Sequence, residues 1–166
     1  YTVLEPDVGT LACKEEGSGR LPDPHVLLEA AYRLITPSSL NDRRVLVSAG
    51  PTWEPFDPVR FITNPSSGKM GYAVARMAAR RSAEVILVSG PSSLPDPPGI
   101  RTILVTTARE MQEAIQEHSA AMDVIIMSAA VGDYRPLQVA PNTLKKVAGA
   151  LTLRLLNNPN LLALLV

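Results

Sequence analysis

The sequence predicts an α/β fold: a Rossmann-like, doubly wound, mainly parallel sheet with helices on both faces. Three observations predict it. Four short runs are apolar at nearly every position: RVLVSA at 44–49, AEVILVS at 83–89, TILV at 102–105 and DVIIMS at 123–128. Strands covered on both faces read this way, whereas a strand with one wet face alternates. Helical patterns separate the runs, as crossovers between parallel strands require, and right-handed crossovers wind the sheet in both directions. Finally, three long connections, 50–69, 89–100 and 129–142, leave the carboxyl ends of the strands, where sheets of this class bind ligands.

The bulk properties agree with a globular α/β protein. The chain has 166 residues, enough for one such domain and an appendage, and 46% of them are hydrophobic. The formal net charge is zero, which argues against a nucleic-acid or acidic-membrane binder. No apolar run reaches the length of a membrane span, and no signal peptide is visible. Cys13 is the one cysteine, so no internal disulfide forms and a reducing, cytoplasmic setting is expected. The chain begins at Tyr1 rather than Met and stops inside the apolar run LLALLV. A fragment lacking C-terminal sequence is the expectation, with the last strands truncated.

Residues 1–22 hold few periodic apolar positions and three glycines, Gly9, Gly17 and Gly19, and read as loop. Asp23 offers an N-cap with Pro24 at the first helical position. Leu27, Ala30, Ala31 and Leu34 then mark one apolar helix face. Thr36-Pro37-Ser38-Ser39 ends that helix, so 37–43 reads as a linker before the first strand. After the strand at 44–49 comes a connection of about eighteen residues, where about two to six are usual. Met70, Ala73, Val74, Met77 and Ala78 make the next helical stripe. GPSSLPDPPG, with four prolines, is a stiff connection without helix or ladder. Thr107-x-x-Glu110 is a capping box opening a helix to about residue 121, with Met111, Ala114 and Ile115 inward. Beyond the fourth strand, Leu151–Leu156 reads as another strand, and Asn158-Pro159 as the start of a helix through Leu164.

The chemistry-bearing residues gather in the long connections. Ser66-Ser67-Gly68-Lys69-Met70-Gly71 puts small residues and a lysine at a helix start. Free N–H groups and the positive end of the helix dipole suit a phosphate or carboxylate there. It is not a Walker A loop, because no glycine stands five residues before Gly68 and Met70 replaces the magnesium-binding hydroxyl. Only G-x-x-G of a dinucleotide fingerprint is present. The pattern leaves two readings open, an anion cradle or a glycine needed for helix–strand packing. Asn64 is either a turn cap or an amide held toward the cradle. Arg60 either pairs with Asp57 as scaffolding or faces an anion. Ala129-Ala130-Val131-Gly132-Asp133 lets a ring approach the backbone, with Asp133 a hydrogen-bond acceptor for a base or sugar, a holder of a metal-bound phosphate, or an ordinary turn residue. Lys145-Lys146 is a solvated pair, or neutralises a triphosphate. Cys13 has no nearby histidine to activate it. His25 and His118 lack metal-ligand spacing to a partner, so no protein metal centre is expected.

These motifs carry a resemblance. AGPTWEPFDPVRFITNPSSGKMG, LVSGPSSLP, AAVGDYRP, the Lys145-Lys146 pair and NNPN occur in the order and spacing of the phosphopantothenate–cysteine ligase domain, over about residues 40–166. In bacteria that domain is the C-terminal half of a bifunctional coenzyme A biosynthesis protein. The N-terminal half is an FMN-dependent phosphopantothenoylcysteine decarboxylase. Residues 8–29, with LACK at 11–14 and GSGRL at 17–21, resemble the substrate clamp that ends the decarboxylase half. The resemblance implies that 4′-phosphopantothenate is activated by CTP, with magnesium, as an acyl-cytidylate, and that cysteine then displaces CMP. It implies a ligase dimer or a larger decarboxylase-linked assembly.

By position, Asn64 matches the asparagine that turns over the acyl-cytidylate, and Cys13 the decarboxylase cysteine that protonates the enethiol. Ser66, Ser67, Gly68, Lys69, Met127, Ala129, Ala130 and Asp133 match CTP-binding positions. So do Thr143, Lys145 and the segment Leu156, Asn157, Asn158 and Pro159. Two departures stand out. Thr143 occupies the place of a family lysine linked to acyl-cytidylate formation, so either Lys145 reaches in or that half-reaction is weakened. Lys14 stands where the clamp has glycine. The FMN region and the ligase's last strands have no counterpart here, so the isolated chain is expected to lack decarboxylase activity and to show little or no ligase activity. The competing readings are an NAD(P)-binding Rossmann protein, disfavoured by the absent G-x-G-x-x-G, and a non-catalytic nucleotide-binding module.

Overall fold

The structure is a computed structural model that describes residues 1–146 and 148–165. Val166, the end of the LLALLV run, lies outside the described residues. An antiparallel hairpin, β1 (Asp7–Thr10) and β2 (Glu16–Arg20), comes first. Helix α1 (Pro24–Ile35) follows, capped by Asp23, whose carboxylate accepts the His25 N–H at 2.8 Å. The central strands are β3 (Arg44–Ala49), β6 (Glu84–Ser89), β7 (Arg101–Leu104) and β8 (Val124–Met127). They form one parallel sheet in the order β7-β6-β3-β8.

Helix α2 (Lys69–Arg80) covers one face and α3 (Ala108–Ser119) the other. The side chains of β3 alternate between the two cores. Val45, Val47 and Ala49 pack with Tyr72, Ala75 and Ala78 of α2. Leu46 packs with Met111, Ala114 and Ile115 of α3. This is why the strand sequences are apolar at every position: each face needs its own row. The Thr107–Glu110 capping box of α3 forms as the sequence predicts.

Three local expectations need correction. Residues 7–20 are a hairpin rather than loop; its strands are exposed and glycine-bearing, so they carry no alternating apolar signal. The long connection after β3 contains its own small hairpin, β4 (Trp53–Pro55) and β5 (Phe61–Thr63). Trp53 and Phe61 stack across it with ring centroids 4.1 Å apart. The inward face of α2 is Gly71, Tyr72, Ala75, Ala78 and Ala79. Met70 and Met77, placed on the apolar stripe by hydrophobicity, are 68% and 44% exposed. Small residues win that face because the helix lies close on β3, and Tyr72 fits because its hydroxyl meets Ser89 Oγ at 3.0 Å.

The C-terminal reading also changes. Only Leu155–Asn157 (β10) pairs, with β9 (Tyr134–Pro136), and 161–164 is a turn rather than a helix. Asn160 Oδ1 accepts the N–H groups of Leu162 and Ala163, both at 3.2 Å. Of that leucine run, Leu161 is the one buried in the α3-side core.

Helix α1 buries no residue fully and docks on α2 through polar contacts. Arg80 donates from Nε and Nη2 to the two carboxylate oxygens of Glu29, at 2.9 and 2.7 Å. Its guanidinium also lies 4.0 Å from the Tyr32 ring centre. That two-pronged bond holds the Glu29 carboxyl below its ordinary range. The 37–43 segment is fastened too, with the Leu40 N–H donating to Arg81 O at 2.9 Å.

Candidate functional site

The connections at the carboxyl ends of β3, β6 and β8 are held together by backbone contacts that require glycine. A Cβ on Gly71 would lie 2.5 Å from Ala49 Cβ and 2.9 Å from Ser48 O. A Cβ on Gly90 would lie 1.7 Å from Pro51 O. Gly68 takes φ 76° immediately before α2, where a side chain is strained. The packing reading therefore holds for Gly71, whose missing side chain lets α2 rest on β3. No side chain caps α2, and among the described residues the N–H groups of its first turn have no partner outside the helix. Pro65–Gly71 and Ser128 line a cavity of about 380 Å³ over that end.

Buried hydroxyls fix the neighbouring turn. Ser48 Oγ, fully buried in β3, accepts the N–H groups of Ser128 and Ala129 at 3.0 and 3.2 Å. Thr52 Oγ1 accepts the Gly132 N–H at 2.9 Å. The Ala130 N–H donates to Gly50 O at 2.8 Å. Asn64 spans the two loops: its Nδ2 donates to Val131 O at 3.1 Å and Ala130 O at 3.4 Å. Asn64 thus ties the approach to the cradle to the turn ahead of Asp133.

Asp133 lies at the edge of a second cavity of about 290 Å³, with Met127, Gly132, Asn158 and Pro159 among its walls. Asn158 anchors this wall. Its N–H donates to Asp133 O at 2.7 Å and its Nδ2 to Gly132 O at 2.8 Å. Arg135 supports it from behind, donating to Asn157 O at 2.6 Å and to Asn158 Oδ1 at 3.0 Å. Leu156 and Asn157 sit on the exposed strand β10.

Thr143 and Lys145 line neither of these two cavities. Their segment is pinned at Leu144, whose N–H donates to Asp57 Oδ2 at 3.2 Å and whose carbonyl accepts Arg60 Nη2 at 2.9 Å. Among the described residues no hydrogen bond joins 143–146 to the cradle or to Asp133. Arg60 and Asp57 pair with each other, Nε to Oδ2 at 2.9 Å, so the scaffolding alternative is the one realised. Asp57 Oδ1 also accepts the N–H groups of Val59 and Arg60 at 2.9 and 2.8 Å.

These bonds, the Arg60 guanidinium first, hold the Asp57 carboxyl well below its ordinary value of 3.8. A folded value below the unfolded one means stability that is full above about pH 4 and lost as pH falls toward the depressed value. Asp57→Asn is therefore expected to lower the melting temperature at pH 7, with the gap to the parent closing progressively below pH 4. Thermal melts across that range measure it.

Cys13 is exposed at the tip of the β1–β2 hairpin and lines neither strand-end cavity. Lys14 next to it takes φ 67°. The turn that glycine favours is kept, with a lysine in the left-handed region. Ser48, Thr52, Ser128 and Arg135 were not legible as site residues. Ser48 and Ser128 lie in or beside apolar strand runs, and the others look like ordinary loop residues.

The fold and its strand-end loops define a doubly wound α/β domain with an uncapped helix start beside an acid-bearing turn. Residues 40–166 match the family described as the DNA/pantothenate metabolism flavoprotein C-terminal domain, and the chain belongs to that family. It is 46% identical over 168 residues to the coenzyme A biosynthesis bifunctional protein CoaBC of Mycobacterium bovis, covering 97% of this chain and 40% of that protein. It is 45% identical over 162 residues to the Escherichia coli protein of the same name, with 95% and 40% covered. The chain thus spans well under half the length of these relatives. A crystal structure of the C-terminal domain of a CoaBC superposes with a TM-score of 0.67 at 43% identity, over 78% of this chain and 60% of that one. Among the described residues no helix is long and apolar enough to cross a membrane, and no three His, Cys, Asp or Glu side chains cluster as metal ligands.

Proposed function

We propose that residues 44–166 supply the nucleotide- and phosphate-binding part of a CTP-dependent phosphopantothenate–cysteine ligase acting in coenzyme A biosynthesis. Residues 1–36 would then be the clamp and closing helix of an FMN-dependent decarboxylase domain, with 37–43 as the connection. The observation that carries the reading is the Asn64 bridge. One side chain holds the α2 cradle and the Ala129–Asp133 turn in register, and both lie at the carboxyl edge of a parallel sheet.

In this reading a carboxylate oxygen of 4′-phosphopantothenate attacks the α-phosphorus of CTP, and pyrophosphate leaves. The cysteine amine then attacks the acyl carbon, CMP leaves, and the nitrogen loses a proton to give the amide. The chain's part is positioning and charge stabilisation. The uncapped N–H groups of α2 and Lys69 meet phosphoryl charge. The backbone of Ala129 and Ala130, held flat by Ser48 and Gly50, lets a base approach. Asp133 accepts hydrogen bonds from it. Asp133 is exposed, whereas Glu54 and Asp57 are buried and hydrogen-bonded. Asp133, as the exposed carboxylate, would be the one protein ligand of a magnesium ion otherwise held by the substrate's phosphates, and that ion would offset triphosphate charge. No residue is assigned to FMN, and Cys13 is carried as the decarboxylase acid by resemblance alone. A dimer or larger homo-oligomer accompanies the reading.

The test uses the full-length protein. Pyrophosphate release from CTP should require 4′-phosphopantothenate, and CMP release should require cysteine. Calorimetry that found tight NADP binding and no CTP binding would overturn the reading. Thr143→Lys is expected to speed the pyrophosphate-releasing step if Thr143 is what limits it.

A further inference from the structure

We propose that the Ser128 hydroxyl is a ligand-binding group of the α2 cradle, donating a hydrogen bond to a phosphoryl oxygen held there. The inference rests on the reading above that this cradle takes a phosphorylated substrate. Ser128 is the first residue after β8. Along that strand Ile126 packs toward the α2-side core, while Ile125 and Met127 pack toward α3. Alternation therefore turns Ser128 to the α2 side. The β3–β8 register ends one residue earlier, at Ser48 and Met127, and the Ser128 N–H then turns to Ser48 Oγ. Ser128 accordingly lines the same cavity as Ser66–Gly71.

The hydroxyl itself is the second observation. Ser128 Oγ is enclosed by protein and has no hydrogen-bond partner. Its own N–H is satisfied by Ser48 Oγ, so the orphan is the side chain alone. Other buried hydroxyls in this region are paired: Ser48, Thr52, Ser89 and Tyr72 each make a bond. The remaining orphan among the described residues, Thr102 Oγ1, belongs to the edge strand β7, away from the cradle. A lone unsatisfied hydroxyl is unfavourable unless something fills its bond. Here it stands beside a helix start whose N–H groups are also unclaimed. Both sets of donors suit one acceptor, an oxyanion, and neither is met by the protein.

Two phosphorylated molecules could supply that oxygen, the CTP triphosphate or the phosphate of 4′-phosphopantothenate. Calorimetry with inorganic pyrophosphate, CTP and 4′-phosphopantothenate, each alone, on the parent protein, Ser128→Ala and Ser128→Thr separates them. Ser128→Ala should weaken pyrophosphate and one of the two substrates by about tenfold or more, as expected for a bond to a charged acceptor. The melting temperature should not fall, because the lost hydroxyl bonded nothing in the free protein. Ser128→Thr should retain most of the affinity. Loss on CTP assigns the hydroxyl to the triphosphate; loss on 4′-phosphopantothenate assigns it to the acid substrate. Unchanged affinity for all three probes overturns the inference and leaves the ligase reading intact. A lowered melting temperature with unchanged affinity makes the hydroxyl merely structural and also overturns it. If the parent binds pyrophosphate but neither substrate, the ligase reading fails and the hydroxyl is judged on pyrophosphate alone. A parent that binds none of the three overturns both.

Discussion

Asn64→Asp is expected to lower cysteine-dependent amide formation at least 100-fold, the scale for losing a preorganised amide at a reacting centre. Two effects act together. Asn64 Nδ2 donates to Ala130 O and Val131 O, and a carboxylate there offers acceptors to acceptors. The bridge opens, and the turn before Asp133 loses its tie to the cradle approach. The new negative charge also opposes phosphoryl groups at the start of α2. Asn64→Ala separates the contributions, since it removes the bond without adding charge. If Asn64 acts on the acyl-cytidylate, both variants should still release pyrophosphate from CTP at a measurable rate while amide formation collapses. If it only positions the loops, pyrophosphate release and CTP affinity should fall in step with the amide. An Asn64→Asp protein that completed amide formation at the parent rate would remove the role altogether.

How far the sequence foretold this arrangement depends on which force set each piece. β3, β6, β7 and β8 were legible because burial on both faces leaves a continuous apolar run, and nothing polar interrupts the signal. α3 was legible because its capping box is local chemistry. The β1–β2 hairpin was not, because glycines and charged residues build it and no buried face writes an alternation into the chain. β4 and β5 are three residues each and sit inside a proline-rich loop. The inward face of α2 was misplaced in part: Ala78 is buried and Val74 packs against the core as expected, but Met70 and Met77 are exposed. Methionines outscore glycine and alanine on any apolar scale, yet the distance between α2 and β3 admits only small residues at 71 and 75.

The site divides the same way. The loop before α2 and the turn before Asp133 were legible as strand-end connections because loop length and small residues announce them. Ser48 was invisible because a buried serine inside a strand looks like a tolerated polar residue until the turn it holds is seen. The fastening of the segment that carries Thr143 and Lys145 was also hidden. It depends on the Asp57–Arg60 pair, which pins Leu144 to the tip of the β4–β5 hairpin, and no spacing in the chain reports a contact between residues 57 and 144.

Gly90→Ala is the substitution expected to cost the most stability. The methyl carbon would sit 1.7 Å from Pro51 O and 2.8 Å from Pro51 C. Those atoms are backbone, so no rotamer change relieves the clash. Nor is Pro51 free to move away, because it forms a parallel bridge with Ala130, and Gly50 O accepts the Ala130 N–H. The strand ends of β3, β6 and β8 would have to part together. Overpacking against fixed atoms costs about 3 kcal/mol, and for a chain of this size that lowers the melting temperature by roughly 6–12 °C. Binding should suffer with it, since the displaced backbone carries both the cradle and the Ala129–Asp133 turn. Gly132→Ala is the control within the same loop set. Its Cβ would meet Glu54 Cγ and Thr52 Oγ1 at 3.5 Å, ordinary contact distance, and its melting temperature should stay within about 2 °C of the parent, since a change of under about 0.5 kcal/mol is expected there. Equal melting of the two variants would mean that Gly90 and Pro51 can separate without cost, and that the strand-end loops are not the single packed unit on which the bridge by Asn64 depends.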